Sequence, residues 1–207
     1  MSEPITLFWQ PGCTSCLRAK EFLRSHGIDY DSINIAESAS GLEKLSKHGI
    51  KAVPVLMQGD RFMFAQVLSE VANFLGIEND NGVPLAPEQL VARLITVFTG
   101  AQRYARQIPV SHLNHMLPGR ARSYRELAYH IFRVGECFLK ATEGATLTDG
   151  DLNKPPGDHL RTGEEIAVYG QKILEAVQTW WERTRDSTGE QIIATYFGPQ
   201  PLHVVLE

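Results

Sequence analysis

Cysteine is scarce in this sequence: 207 residues contain three, Cys13, Cys16 and Cys137. So low and odd a count argues against a disulfide framework and fits a reducing compartment. The sequence also lacks the run of ~20 apolar residues that a membrane helix needs. Its N-terminus has no basic segment leading into an apolar one. We therefore expect a cytoplasmic protein that does not enter a membrane.

An excess of positive charge is absent as well. Lys and Arg number 20 against 24 Asp and Glu, for a formal net charge of −4. Because nucleic acids are held by a concentrated basic surface, this balance argues against DNA or RNA as a partner. The composition, 43% hydrophobic and 21% charged, is that of a globular protein, and the length allows one large or two small domains.

The most informative stretch is the pair Cys13 and Cys16. The apolar run Ile5–Trp9 before it predicts a strand covered on both faces, and an amphipathic pattern after it predicts a helix. Cys13 then lies at the helix N-terminus, where unpaired amide groups and the helix dipole favour a thiolate. The i, i+3 spacing brings Cys16 to the same face. Cys13 is therefore the candidate nucleophile, and Cys16 the thiol that resolves a mixed disulfide.

Two other interpretations of the pair stay open: half of a zinc site, or a pair without function. A structural zinc site usually has four Cys or His ligands, and Cys137 lies far away in the sequence. His26 and His48 do not have the spacing of zinc ligands. The position of the pair between a predicted strand and a predicted helix favours redox chemistry.

The pattern over residues 1–77 predicts strand, helix, strand, helix, strand, strand, helix. The second helix is predicted to begin at a capping box formed by Ser40 and Glu43. The remaining elements are expected as a helix at 17–26, a strand at 29–35, a hairpin of strands at 52–57 and 61–65, and a helix at 67–75.

This order, with Cys-x-x-Cys at the first junction and Val53-Pro54 before the third strand, resembles glutaredoxin and its thioredoxin-fold relatives over residues 4–77. The resemblance implies a cis Pro54 that lies against the cysteines and shapes the substrate groove. Val53 would present its backbone to an extended substrate. Many glutaredoxins have a lysine that helps to bind glutathione where this chain has Gln10. The implied activity is thiol-disulfide exchange with a disulfide substrate, with glutathione, mycothiol or thioredoxin reductase as the electron source.

A polar stretch rich in turn formers at 78–85 predicts a linker between a domain at 1–77 and a second domain at 86–207. Beyond the linker, apolar residues recur at helical spacing in three long stretches. Three long helices without strands between them predict a bundle. The expected fold class is therefore α/β followed by all-α.

The starts of these helices are marked in the sequence. Pro87 can open the first at its N1 position. Capping boxes, Ser123 with Glu126 and Thr162 with Glu165, precede the second and third.

The stretches 123–134 and 198–207 resemble the second helix and the start of the fourth in DinB-like four-helix bundles. Many of these proteins bind a divalent metal, such as Zn, Ni or Fe, through three histidines, and His130 matches the first. The H-x-x-x-H pair that supplies the others is not in this sequence, which stops at Glu207. We therefore expect a truncated fourth helix, with a metal only if that helix is completed. An apolar groove left open could be filled by a second copy in a homodimer.

Histidine, cysteine and tryptophan residues of the second half are expected to have structural roles and not to bind metal or react. His112 and His115 are spaced H-x-x-H in a proline-flanked connection and are expected at the surface. Cys137 is expected as a small buried residue. Trp180 and Trp181 are expected as core and interface.

Together these patterns predict a two-domain thiol-disulfide oxidoreductase whose helical domain uses a thiol cofactor or binds the target that the first domain reduces. Two alternatives stay open. One is a metal-dependent thiol transferase or hydrolase with its active site in the bundle. The other is a non-catalytic redox sensor, in which oxidation of the cysteine pair changes how the bundle binds a partner.

Overall fold

The chain divides into two compact units, Met1–Pro84 and Leu85–Glu207. The predicted linker at 78–85 falls almost wholly outside the described residues. No described helix is long and apolar enough to cross a membrane. The structure, a computed structural model, describes residues 3–77, 85–118, 120–185 and 191–206.

The first unit is built on a sheet with the strand order β2-β1-β3-β4, in which β2 is parallel to β1 and the other neighbours are antiparallel. Leu7 and Phe8 of β1 are fully buried and belong to different apolar clusters, so that both faces of the strand are covered. The sheet is thioredoxin-like. Its elements are β1 (Ile5–Trp9), α1 (Thr14–Ser25), β2 (Asp31–Asn34), α2 (Ala39–Lys47), β3 (Val55–Gln58), β4 (Arg61–Phe64) and α3 (Leu68–Leu75).

One helix start differs from the prediction. The N-cap of α2 is Ser38, whose Oγ accepts a hydrogen bond from the Gly41 backbone N–H at 3.0 Å. Ser40 lies inside the helix, and its Oγ is 3.2 Å from that of Ser38. The capping box predicted at Ser40 and Glu43 was therefore wrong by two residues. Ser38 has the extended backbone that a cap requires, with φ −118° and ψ 98°, and Glu43 pairs instead with Lys47 on the surface.

The second unit is mainly helical, with α7 packed against both α4 and α5. Phe98, Phe132 and Ile166, one from each long helix, lie in one buried cluster. The bundle of three long helices is as predicted, whereas the pair of short strands after it was not predicted. The elements are α4 (Pro87–Gln107), a 3-10 turn (Val110–His112), α5 (Tyr124–Thr142), α6 (Asp149–Leu152), α7 (Gly163–Thr184), β5 (Ile192–Ile193), β6 (Gln200–Pro201) and α8 (Leu202–Leu206).

Both predicted capping boxes of the helical unit are present. At α5, the Ser123 hydroxyl accepts from the Glu126 backbone N–H, and the Glu126 carboxylate accepts from the Ser123 N–H at 2.6 Å. Thr162 and Glu165 exchange the same bonds at the start of α7. Two otherwise unpaired donors are thereby satisfied at each helix start.

The stretch compared with the start of a fourth bundle helix forms α8, which has five residues. Leu202 of α8 is fully buried and packs in one cluster with Phe138 and Trp180. Trp180 is 4% exposed and belongs to the core, while Trp181 is half-buried beside it. Glu207, at which the truncated fourth helix was predicted, lies outside the described residues.

Candidate active site

Cys13 is the N-cap of α1. Its backbone is extended, with φ −84° and ψ 111°, and its Sγ accepts a hydrogen bond from the Cys16 backbone N–H at 3.1 Å. Gly12 before it has φ 76°, a left-handed conformation that favours glycine. The first turn of α1 contains no acidic residue. The positive end of the helix therefore acts on the Cys13 sulfur without a competing carboxylate in that turn.

Cys16 lies one turn into α1 and forms a disulfide with Cys13, with a Cα–Cα distance of 5.2 Å. The structure thus has the oxidised form of the pair. The two residues differ in exposure, since Cys16 is 2% exposed and Cys13 is half-buried. Cys13 is therefore the more accessible residue of the pair.

Val53 and Pro54, which precede β3, lie beside the cysteine pair. The Val53–Pro54 peptide bond is cis, and the Cys13 Sγ lies 3.9 Å from the Val53 carbonyl oxygen. Pro54 is buried, and its carbonyl accepts from the Ala65 backbone N–H at 2.9 Å. Gln66 also donates to the Val53 carbonyl, through Nε2 at 3.5 Å. The structure therefore brings Cys13, Cys16, Val53 and Pro54 together.

Two contacts of the first unit were not foreseen from the sequence. The Gln66 bond to Val53 is one, since nothing in the sequence marks a glutamine that follows β4. Lys20 is the other: its Nζ lies 2.8 Å from the centre of the Trp9 ring, in a cation–π contact. Burial, and then the charge of Arg24, lowers the pKa of Lys20. Gln10, which follows Trp9, is exposed.

Known proteins resemble the first unit. A family model described as Glutaredoxin matches residues 5–63. The glutaredoxin-like protein NrdH of Lactococcus lactis subsp. lactis (strain IL1403) is 34% identical over 56 residues, which cover 27% of this chain and 78% of that protein. Through its first unit, the chain belongs to the glutaredoxin family.

Two further proteins are similar to this glutaredoxin domain. The Gene 56 protein of Mycobacterium phage D29 is 41% identical over 39 residues, which cover 19% of this chain and 43% of that protein. A solved structure of a mutant of the thioredoxin-like protein BC3987 aligns with a TM-score of 0.34 at 21% identity, and covers 36% of this chain and 96% of that one.

In the helical unit, His130 of α5 is half-buried. Its Nδ1 lies 2.9 Å from the carbonyl oxygen of Leu152. Burial, and then the charge of Arg122, lowers the pKa of His130. Within the described part of the chain, no group of three His, Cys, Asp or Glu side chains is placed to hold a metal. Metal sites of the expected kind use three or four ligands. The described residues therefore do not fit the metal centre that the DinB-like resemblance implies.

His112 and His115 are exposed at the surface, as expected, and their ring centres are 4.9 Å apart. Cys137 is a free thiol, 4% exposed, and burial raises its pKa. A buried thiol with a raised pKa is a poor nucleophile, which agrees with the structural role expected for Cys137.

A polar network joins α5 to α7 inside the helical unit. The Glu136 carboxylate accepts from Arg133 at 2.7 Å, from Lys140 at 2.7 Å and from the Tyr169 hydroxyl at 2.6 Å. Arg133, only 6% exposed, also donates to the Asp151 carbonyl at 2.9 Å. Burial alone would raise the pKa of Glu136, but the three donors outweigh burial and lower it to about 2. The carboxylate is therefore ionised in the folded protein at neutral pH.

Proposed function

We propose that the glutaredoxin domain is a dithiol thiol-disulfide oxidoreductase of the cytoplasm. In the reduced protein, the Cys13 thiolate attacks one sulfur of a substrate disulfide. A bond forms between that sulfur and Cys13, and the other substrate sulfur leaves as a thiolate. The Cys16 thiolate then attacks the Cys13 sulfur and releases the second substrate thiolate. The protein pair is oxidised to the disulfide, and the substrate gains two electrons.

The observation that carries this proposal is the position of Cys13. Its sulfur caps α1 and accepts a first-turn N–H, an arrangement that stabilises the thiolate relative to the thiol. The more deeply buried Cys16 lies within bonding distance and so is suited to the second attack. The Val53 backbone and Pro54 form the adjoining wall, where an extended substrate would pair with the strand-like chain.

The residue at position 10 bears on which molecule supplies electrons to the oxidised cysteine pair. Gln10 is exposed and carries no charge, so this position does not contribute the cation that many glutaredoxins use to bind glutathione. We propose a donor other than glutathione, either mycothiol or thioredoxin reductase.

For the helical unit we propose a DinB-like bundle that binds the molecule reduced by the first domain. The capped helices α5 and α7 and the three-helix core support this assignment. A tether raises the effective concentration of a bound target near Cys13, typically to the millimolar range for a short flexible linker. No step of the proposed chemistry passes through a metal.

The test is the rate of reduction of 2-hydroxyethyl disulfide by the full-length protein, read as NADPH consumption. Parallel assays contain glutathione with glutathione reductase, mycothiol with its reductase, or thioredoxin reductase. We expect turnover with one of the last two donors, its loss in Cys13→Ser, and its retention in the control Cys137→Ser. Turnover with glutathione alone would overturn the choice of donor. Absence of turnover with every donor would favour the redox-sensor alternative over an enzyme.

A further inference from the structure

A polar cavity of about 230 Å³ lies in the helical unit, where the start of α5 meets the loop that follows α6. Arg122, Glu126 and His130 line it from around the start of α5, and Asn153 and Lys154 line it from the loop. The cavity has room for a small polar molecule, and convergent polar groups in a concave site are typical of ligand binding.

The hydrogen bond of His130 decides which ring nitrogen carries the proton. Nδ1 faces the Leu152 carbonyl at 2.9 Å, and a carbonyl oxygen only accepts, so Nδ1 is protonated. At about pH 8, above the ordinary range of imidazole titration, the ring carries this single proton. The other nitrogen, Nε2, then has a lone pair and no hydrogen-bond partner among the described residues. His130 lines the cavity, and Nε2 is the acceptor atom of its ring.

The charged groups of the lining favour an anion. Arg122 donates through Nη2 to the Asn153 Oδ1 at 2.9 Å, and within the described chain its side chain makes no other hydrogen bond or ion pair. Lys154 is exposed, and its ammonium group makes none with that part of the chain. Glu126 is the acidic residue of the lining, and its Oε2 is already engaged by the N–H and hydroxyl of Ser123 at 2.6 and 2.9 Å. Two cations therefore outnumber one carboxylate.

We propose that this cavity binds a small oxyanion that carries its own hydroxyl, such as hydrogen phosphate or an α-hydroxycarboxylate. Its charged oxygens contact Arg122 and Lys154, and its O–H donates to Nε2 of His130. An oxyanion without a proton offers only lone pairs to Nε2, and two acceptors repel each other. Among small oxyanions of equal charge, the cavity therefore favours the one that carries a proton.

Hydrogen phosphate and sulfate form a matched pair of probes. At about pH 8 both are dianions of similar size, phosphate has one O–H and sulfate has none, and His130 is neutral. The full-length protein, treated with EDTA, is titrated with each anion at constant ionic strength, and the ring signals of His130 and the backbone amide signals of Asn153 and Lys154 are followed by NMR. The amide signals report binding in variants that lack His130. We expect phosphate to bind roughly tenfold more tightly than sulfate, the effect of one hydrogen bond. Glycolate against acetate repeats the comparison for carboxylates and shows which of the two classes binds more tightly.

The variant His130→Asn distinguishes the contribution of Nε2 from that of Nδ1. Its amide can still donate to the Leu152 carbonyl in place of Nδ1, but it has no group in the position of Nε2. We expect its phosphate affinity to fall to the sulfate level, with sulfate binding unchanged. Arg122→Gln and Lys154→Gln should weaken both anions by the same factor. Lys172→Gln, an exposed lysine on α7 that does not line this cavity, is the control and should weaken neither.

Two results would overturn the proposal. Equal affinity for phosphate and sulfate, or a preference that survives in His130→Asn, would rule out selection through Nε2. Unchanged His130 signals with all four anions would rule out the anion site itself. Neither measurement involves the cysteine pair, so the outcome is independent of the proposed redox function.

Discussion

The backbone N–H of Cys16 donates to the sulfur of Cys13 over 3.1 Å in the disulfide form, and in the reduced protein we expect the same bond to stabilise a Cys13 thiolate. The backbone and the side chain of Cys16 therefore have different roles. Its backbone supports the Cys13 thiolate, and its side chain supplies the second sulfur of the disulfide. A substitution that keeps the backbone and removes the sulfur should separate attack from release.

Cys16→Ser should attack a substrate disulfide but fail to release it. We expect the mixed disulfide on Cys13 to accumulate as one stable adduct, because the resolving sulfur is gone while the N–H bond to Cys13 remains. Mass spectrometry of the intact protein would detect it. Cys13→Ser should form no adduct, although Cys16 is intact. Turnover of Cys16→Ser at the wild-type rate would show that Cys16 is not needed for release.

The N-cap of α2 offers a test inside the fold. Ser38→Ala should destabilise the first unit by about 0.5–2 kcal/mol, because the Gly41 N–H loses its acceptor. Ser40→Ala, two residues later, should change stability by less than about 0.5 kcal/mol. Amide hydrogen exchange at Gly41 checks both, since only Ser38→Ala should accelerate it. The reverse ranking would restore Ser40 as the cap.

Two helical glycines should respond to alanine with opposite signs. A Cβ at Gly170 would lie 2.5 Å from two ring carbons of the fully buried Phe132. We expect Gly170→Ala to destabilise the helical unit by about 1–3 kcal/mol, although alanine favours a helix. At Gly100 a Cβ meets no atom within 4 Å, and Gly100→Ala should stabilise by about 0.5–1 kcal/mol. Urea unfolding of both variants measures the difference, and a shared sign would contradict the packing at Phe132.

Glu136 should make the helical unit sensitive to acid. Its pKa is lowered from 4.5 to about 2 in the folded protein. A depressed folded pKa stabilises the protein above the unfolded pKa, and this contribution is lost as the pH falls from about 5 towards 2. Its size is on the order of 2–3 kcal/mol. Glu136→Gln should lower stability at neutral pH and flatten the pH dependence in this window.

The measurement is urea unfolding against pH, followed by the fluorescence of Trp180 and Trp181 in a Trp9→Phe background. Glu182→Gln, at an exposed position of α7, is the matched control and should retain the full acid dependence. An unchanged pH profile in Glu136→Gln would show that the network does not hold this carboxylate ionised.

Local patterns predicted most of the elements. The strand at Ile5–Trp9 and the capping boxes at Ser123 and Thr162 appear as expected, since each depends on residues close together in the chain. The cap of α2 was missed because Ser38 and Ser40 are equally suitable cap residues, and the backbone conformation selected the former. The short strands β5 and β6 were missed because two residues carry no periodicity.

In the candidate site, too, some features follow from local sequence and others depend on tertiary structure. The sequence by itself determined that Cys13 opens a helix with Cys16 one turn further in, because helix geometry alone relates positions i and i+3. Tertiary structure decided the rest. The Val53 carbonyl meets Cys13 across 40 residues, and the Tyr169 hydroxyl meets Glu136 across 33. Such contacts depend on how strands pair and helices pack, and no local spacing encodes them.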